Sequence, residues 1–356
     1  MNEYSPLKSL WWTDDIAGMR EGRQAVPSQV HFILSDLCNQ DCHFCAYRMS
    51  GGFTNEQFPD ASGNKNPNRR IPTGKALEIL EDLSHLGVRA IQFTGGGEPT
   101  AHPDHCMIFE NALAWGMRTA LVTNGLVMRP EAETVYPRMD WIRVSVDAGT
   151  AKTYAKVRRV SPSQYDTVMK HITEIARMCA PDKTTLGAGF VVTRENWREL
   201  PGAAKRLQEA GAHNMRVTAM FSTDGMGYYN GIEDDIEEEI LAAHALTGDD
   251  FIINLWPQRE KDLLQMQPDY TFCGYQQMCT YIGGDQKVYR CCSTAYTKHG
   301  EVGDLKDQRF RDWFKSEAKE HRYAHFNAKT CTVCQFNDKN RAINYMMSKP
   351  KHVEFV

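Results

Sequence analysis

The run SDLCNQDCHFC sets three thiols, Cys38, Cys42 and Cys45, on one short segment. Three thiolates so placed can cap three irons of a cubic iron–sulfur cluster and leave the fourth iron without a protein ligand. A structural zinc ion asks for four ligands, usually as two separated pairs. His43 is the available fourth donor for zinc, but its neighbours on the same tight loop already bind. Phe44 precedes the third cysteine, where its ring would keep water from a cluster.

A second group of thiols lies far along the chain. FCGYQQMCTYIGGDQKVYRCC carries Cys273, Cys279, Cys291 and Cys292, and TCTVCQF adds Cys331 and Cys334. The C-x2-C pair is a strong metal signal, and four thiolates complete a cluster site with no open corner. A zinc ribbon on four of these thiols is the competing reading. Cys106 and Cys179 fall on expected helices and read as small buried core residues.

Eleven cysteines in all suggest a reducing compartment, where clustered thiols bind metal more often than they pair. The start MNEYSPLKSLWWTDD lacks the basic and apolar regions of a secretion signal, so a cytoplasmic home is expected. No apolar run approaches the length that spans a bilayer. A net charge of −4 offers nucleic acid or an anionic membrane no whole-molecule attraction.

The elements that must position these thiols show in the hydrophobic pattern. Strand-like runs stand at 30–35, 88–94, 117–123, 141–147, 186–193 and 213–220. Helical stretches separate them, such as the one bearing Leu77, Leu80, Leu83 and Leu86, closed by Gly87. Six strand–helix units in series predict a parallel α/β sheet. The first thiol group follows the first strand. FTGGGEPT follows the second, TNG the third and VSVD the fourth. Residues 48–72 are too long and too rich in Gly, Asn and Pro for an ordinary connection; a flap over the site and a surface loop both fit. Domains are expected at 28–225 and 226–356, after an extension at 1–27. An acidic helix around 233–246 and a short strand at 251–254 lie beyond that boundary.

The C-x3-C-x-aromatic-C spacing, with a glycine-glycine-glutamate run one unit later, resembles the radical S-adenosylmethionine (SAM) superfamily. That resemblance implies a partial (β/α)6 barrel whose [4Fe–4S] cluster binds SAM at its open iron. It also implies reductive cleavage of SAM to a 5′-deoxyadenosyl radical that takes hydrogen from a substrate. Carried onto this chain, it makes Cys38, Cys42 and Cys45 the catalytic cluster ligands. Gly96, Gly97 and Glu98 become the ammonium-binding motif, with Asn124 either a SAM contact or a turn residue. Ser145 and Asp147 fall near the SAM ribose and substrate, and Arg158 toward the SAM carboxylate or, as the plainer alternative, solvent. The backbone around Val191 and Val192 falls at the adenine.

The C-terminal thiols resemble the SPASM and shorter twitch domains of the same superfamily. That template assigns Cys273, Cys291, Cys331 and Cys334 to one auxiliary [4Fe–4S] cluster, with Cys279 or Cys292 as alternatives for one ligand. If not a ligand, either is a candidate hydrogen-atom donor. No cysteine follows Cys334, which favours one auxiliary cluster. The resemblance implies an external electron donor such as flavodoxin or ferredoxin. It leaves the substrate open between a peptide or protein and a small metabolite, aminosugar or nucleoside. The pairs Trp11–Trp12 and Tyr228–Tyr229 would serve stacking on bases or, more plainly, packing. A non-catalytic iron–sulfur module has no use for the glutamate, and a nucleic-acid zinc finger lacks a basic helix between its cysteine pairs.

Overall fold

The computed structural model describes residues 5–49, 56–255, 257–348 and 351. Seven strands, β1 (Gln29–Phe32), β2 (Ala90–Phe93), β3 (Arg118–Thr123), β4 (Trp141–Ser145), β5 (Thr185–Val192), β6 (Asn214–Ala219) and β7 (Ile252–Leu255), pair in chain order, each parallel to the next. Parallel neighbours need crossovers, and helices supply them. The helix Thr73–Leu86 ends where Gly87 turns into the left-handed region at φ 87°. The helix Ser163–Met178 buries Tyr165, Val168, Ile172 and Ile175 at a helical period.

Alternation along each strand sends one set of side chains toward the helices. Val30 and Phe32, Ile91 and Phe93, Ile142 and Val144, and Leu186 and Phe190 are at most 1% exposed and share one core. Burying each such side chain stabilises the fold by about 1.5–3 kcal/mol. The other set faces the concave side of an open, partial barrel.

Two features extend the sheet beyond the six units expected. The strand expected at 251–254 becomes β7 and continues the parallel order, so the sheet runs on past residue 225. On the opposite edge, β8 (Cys279–Ile282) pairs parallel to β1, with Gln29 beside Cys279 and His31 beside Tyr281. β9 (Lys287–Tyr289) and β10 (Glu301–Asp304) follow antiparallel. The C-terminal segment is thereby joined by backbone hydrogen bonds to the strand that leads into the first cysteine group.

Side chains secure the same junction. Tyr47, Phe58, Tyr281, Tyr289 and Tyr296 form one aromatic cluster. Tyr281 Oη donates to Tyr47 Oη at 3.1 Å, and Tyr296 Oη donates to Asp36 Oδ1. Arg309 spans to Glu81 and Asp82 on the first crossover helix, at 2.5 and 2.7 Å. The N-terminal helix Thr13–Arg20 packs Ile16 against Met278 and Ile343 near the other end of the chain.

Candidate functional site

The three thiols of the first group lie just beyond the C-terminal end of β1, and local hydrogen bonds shape their loop. Cys45 N–H donates to the Cys42 carbonyl at 3.1 Å, while Arg48 and Met49 N–H groups both donate to the Cys45 carbonyl. The last turn of the helix Ala151–Arg158 accepts from the loop: Asp41 N–H bonds the Arg158 carbonyl and His43 N–H the Val157 carbonyl. His43 is turned to Glu195, Nε2 to Oε2 at 3.6 Å. Phe44 lies with its ring 5.7 Å from the Arg158 guanidinium carbon.

Residues 50–55 of the long excursion fall outside the described residues; residues 56–72 are a strut against the loop. Asn66 accepts from Cys38 N–H at 2.9 Å and donates to its carbonyl at 3.0 Å. Arg48 ties Asn66 to the Gln40 carbonyl, each at 2.7 Å. Nothing in the local sequence pattern marks Arg48, Gln40 or Asn66, because their role exists only once the excursion folds back.

The glycine run docks on the same loop. Gly97 N–H donates to Ser35 O and Glu98 N–H to Leu37 O. A Cβ on Gly97 would overlap the Leu37 carbonyl and the Asp36 backbone, so only glycine permits this approach. Glu98 is 3% exposed. Its Oε1 accepts from Thr100 N, Thr100 Oγ1 and Thr123 Oγ1, and its Oε2 from Asn124 N at 2.8 Å. Burial pushes its pKa up against the pull of these donors. One lone-pair direction on Oε2 remains for a ligand ammonium. Asn124 is both a turn residue and a neighbour of the thiols: Oδ1 accepts from Leu126 N–H, and Nδ2 donates to Asn39 and lies 3.9 Å from Cys38 Sγ.

Arg158 is 4% exposed, so the solvated-helix alternative fails. It donates to Cys42 Sγ at 3.4 Å, to Gln40 Oε1 at 3.1 Å and to the Asp147 carboxylate. Asp147 adopts φ 57°, which turns Oδ1 under Val191 N–H at 2.6 Å. Burial pushes the Asp147 pKa up, with Arg158 pulling against it. Ser145 is half-buried one pleat before Asp147. The expected adenine contacts at 191–192 are largely engaged within the chain. Val191 O accepts from Asn196 Nδ2 at 2.9 Å, Val192 O accepts from Tyr229 Oη at 2.8 Å, and the Val192 side chain is buried.

The structure gathers Cys273, Cys291, Cys331 and Cys334 around one pocket and leaves Cys279 and Cys292 outside its lining. Its walls include Tyr275, Phe326, Val333 and Phe336. Cys279 is buried on β8, and Cys292 packs beside the aromatic cluster that holds Tyr47. Tyr270 Oη stands 3.2 Å from Cys334 Sγ, and Phe336 N–H donates to that sulfur at 3.3 Å. His299 Nε2 lies 3.6 Å from Cys331 Sγ.

Burial raises Cys38 to about 12 and Cys45 to about 11 in the first group, and Cys273 and Cys334 to about 12 in the second. Charge on neighbouring thiols raises Cys45, Cys273 and Cys331 further. Such sets ionise together only around a compensating cationic centre, which is what an iron–sulfur core offers thiolates. Among the described residues no three His, Cys, Asp or Glu side chains are grouped to hold a single metal ion. The fit to a cluster therefore rests on the donor chemistry and on the loop that presents it.

Residues 32–207 match the family model of the Radical SAM superfamily. Through these residues the chain belongs to the radical SAM superfamily. A SAM-dependent nucleotide dehydratase of Flammeovirga pacifica is 32% identical over 143 residues, 40% of this chain and 46% of the relative. The mycofactocin maturase MftC of Mycobacterium tuberculosis is 24% identical over 297 residues, 80% of this chain and 69% of the relative. The chain thus spans less than half the length of the dehydratase. Streptococcus suis SuiB, solved bound to its precursor peptide SuiA, superposes with a TM-score of 0.63 over 98% of this chain and 80% of its own, at 13% identity. The radical SAM domain accordingly has the partial-barrel fold, with its thiol loop at the C-terminal strand ends where such barrels place chemistry.

Of the two aromatic pairs singled out above, Tyr228–Tyr229 and Trp12 are packed within the chain. Tyr229 is 3% exposed, donates to the Val192 carbonyl of β5 and accepts from Met220 N–H just beyond β6, edge-on to Tyr228. Trp12 is covered by Arg89 at 4.3 Å, while Trp11 stands exposed. No helix among the described residues is long and apolar enough to cross a membrane.

Proposed function

We propose that this chain is a radical SAM enzyme that modifies a peptide, with one SAM-binding [4Fe–4S] cluster on Cys38, Cys42 and Cys45. A second cluster on Cys273, Cys291, Cys331 and Cys334 completes the reading. The observation that carries it is the convergence on the loop at the end of β1. Gly97 and Glu98 bond its backbone, and Arg158 reaches its middle thiol. The likeness to the mycofactocin maturase MftC over most of this chain supports a peptide substrate. So does the peptide-bound state of SuiB.

When bound, the cluster and SAM supply a carbon radical able to remove hydrogen from an unactivated substrate carbon. The chain's own part is to bind, orient and exclude water. Glu98 keeps one acceptor position for the SAM ammonium while Thr100, Thr123 and Asn124 fix its carboxylate. Arg158 holds the Cys42 sulfur and neutralises Asp147 within the buried strand end. Asn124 places an amide beside Cys38. The pocket that gathers the four C-terminal thiols has aromatic walls that limit access of water and oxidant. We place the protein in the cytoplasm with a flavodoxin- or ferredoxin-type donor, domain limits near 28–225 and 226–356, and an extension at 1–27.

A small nucleotide or related metabolite is the second reading, favoured by the dehydratase likeness. The deciding experiment is anaerobic reconstitution, reduction and incubation with SAM, following 5′-deoxyadenosine. Roughly eight irons per chain and deuterium transfer from a labelled peptide are expected; roughly four irons with zinc would replace the second cluster by a zinc ribbon. Absence of SAM cleavage by the cluster-loaded protein would sink the enzymatic reading.

A further inference from the structure

Besides its four thiols, the pocket in the C-terminal segment is lined by one charged side chain, that of Arg290. No carboxylate lines it. Arg290 precedes Cys291 directly and follows the end of β9, where its N–H donates to the Gly300 carbonyl at 3.0 Å. The hairpin backbone thus fixes the arginine and the thiol together. Arg290 is 7% exposed.

The bonds that hold this guanidinium all go to neutral acceptors. One terminal nitrogen donates to Gln276 Oε1 at 2.6 Å and the other to the Arg322 carbonyl at 3.0 Å. Nε is buried and bonds nothing. The Phe326 ring lies 4.0 Å and the Tyr323 ring 5.7 Å from the guanidinium carbon. Contact with ring faces offsets part of the cost of burial but supplies no opposite charge. Among the described residues no Asp or Glu oxygen bonds Arg290. Arg158, beside the first thiol group, differs here, because Asp147 neutralises it.

A buried charge without a partner is costly, so buried charges are paired or meet an ion. The negative charge within reach of Arg290 is that of the thiolates, and it acts on Cys273, Cys291 and Cys331 together. A cubic cluster on four thiolates is anionic, and each electron that it takes makes it more so. The apolar walls of the pocket penalise that added charge. A fixed cation in the same wall favours it, and burial leaves little water or salt to screen the attraction.

We propose that Arg290 is the counter-charge of the second cluster and holds its reduction potential above the value that the apolar pocket alone would give. Arg290 is a positioning residue, acting through the cluster and not on substrate. This rests on the reading of Cys273, Cys291, Cys331 and Cys334 as ligands of that cluster.

The test is an EPR-monitored redox titration of the anaerobically loaded full chain with Cys38, Cys42 and Cys45 replaced by Ala, so that only the second cluster is read. Where that parent does not fold, the titration is run on the protein with all its cysteines, in which added SAM marks the signal of the first cluster. R290Q weakens the reduced form about tenfold against the oxidised one, a fall of about 59 mV for one electron. R290K, which keeps the charge, stays nearer to its parent than R290Q does. Q276E gives Arg290 a carboxylate to pair with and also lowers the potential; it serves where R290Q does not take up iron. An unmoved potential in R290Q and Q276E, or equal shifts in R290K and R290Q, overturns the role of Arg290 and leaves the second cluster standing. Zinc in place of iron on these thiols overturns the second cluster and the role of Arg290 with it.

Discussion

Arg158 shows what one side chain does when its surroundings leave it no water. Its guanidinium bonds a cluster-loop sulfur, a buried amide and a buried carboxylate. Removing one partner of such a pair costs about 3–5 kcal/mol, because the other charge stays buried alone. R158Q is therefore expected to destabilise the metal-free protein by about that amount in urea denaturation. Joined to D147N, the loss should be clearly less than the sum of the two single changes. A second readout separates structure from tuning. A hydrogen bond to a ligating sulfur stabilises the reduced cluster, so R158Q should move the midpoint potential of the N-terminal cluster to more negative values. An EPR-monitored redox titration reads this, and an unmoved potential would leave Arg158 a purely structural residue. A position for Arg158 was legible from family resemblance. Its grip on Cys42 was not, because it depends on the φ of Asp147 and on where the helix Ala151–Arg158 ends.

Among the elements, the β2 turn and the thiol loop are held at a distance that one methyl group would break. G97A would press a Cβ into the Leu37 carbonyl. Overpacking of this kind costs about 1–3 kcal/mol and must be relieved by moving one of the two loops. G87A makes the comparison sharp. Gly87, unlike Gly97, turns at a positive φ, of 87°, and a Cβ there meets nothing within 4 Å. Both variants should lose stability, G87A through backbone strain alone. Only G97A should lose iron during anaerobic gel filtration after reconstitution. Equal iron retention by the two would mean that the loop contact is unimportant for the cluster.

Most elements were readable in advance because their signals are local. The six strand runs match β1–β6 to within a few residues, and Gly87 closes its helix as expected. The parallel pairing of β8 with β1 was not readable. Four consecutive buried residues, Cys279–Ile282, carry no alternation to name a partner.

At the scale of the whole molecule, two thiol groups far apart in sequence flank the joint between β1 and β8, and each contains thiols buried enough to resist ionisation. Burial lifts Cys38, Cys273 and Cys334 to about 12 and Cys45 to about 11, from an ordinary 9.0. A thiol raised in the folded state stabilises the metal-free fold fully below its unfolded pKa, and that contribution is lost as pH climbs through the folded value. Between pH 9 and about 12 the metal-free protein should therefore weaken steadily, since unfolding releases protons that the fold retains. Cluster loading replaces those protons with iron and removes the dependence at the ligating cysteines. Cys106 and Cys179, each lifted to about 11 by burial and ligating nothing, keep theirs in both forms. Melting curves at pH 8 and pH 10 thus separate the contributions. The drop should be larger for the metal-free protein than for the loaded one, and chelation of the loaded protein should restore the larger drop. Equal drops would mean that the thiols of the two groups are not the ones that iron holds.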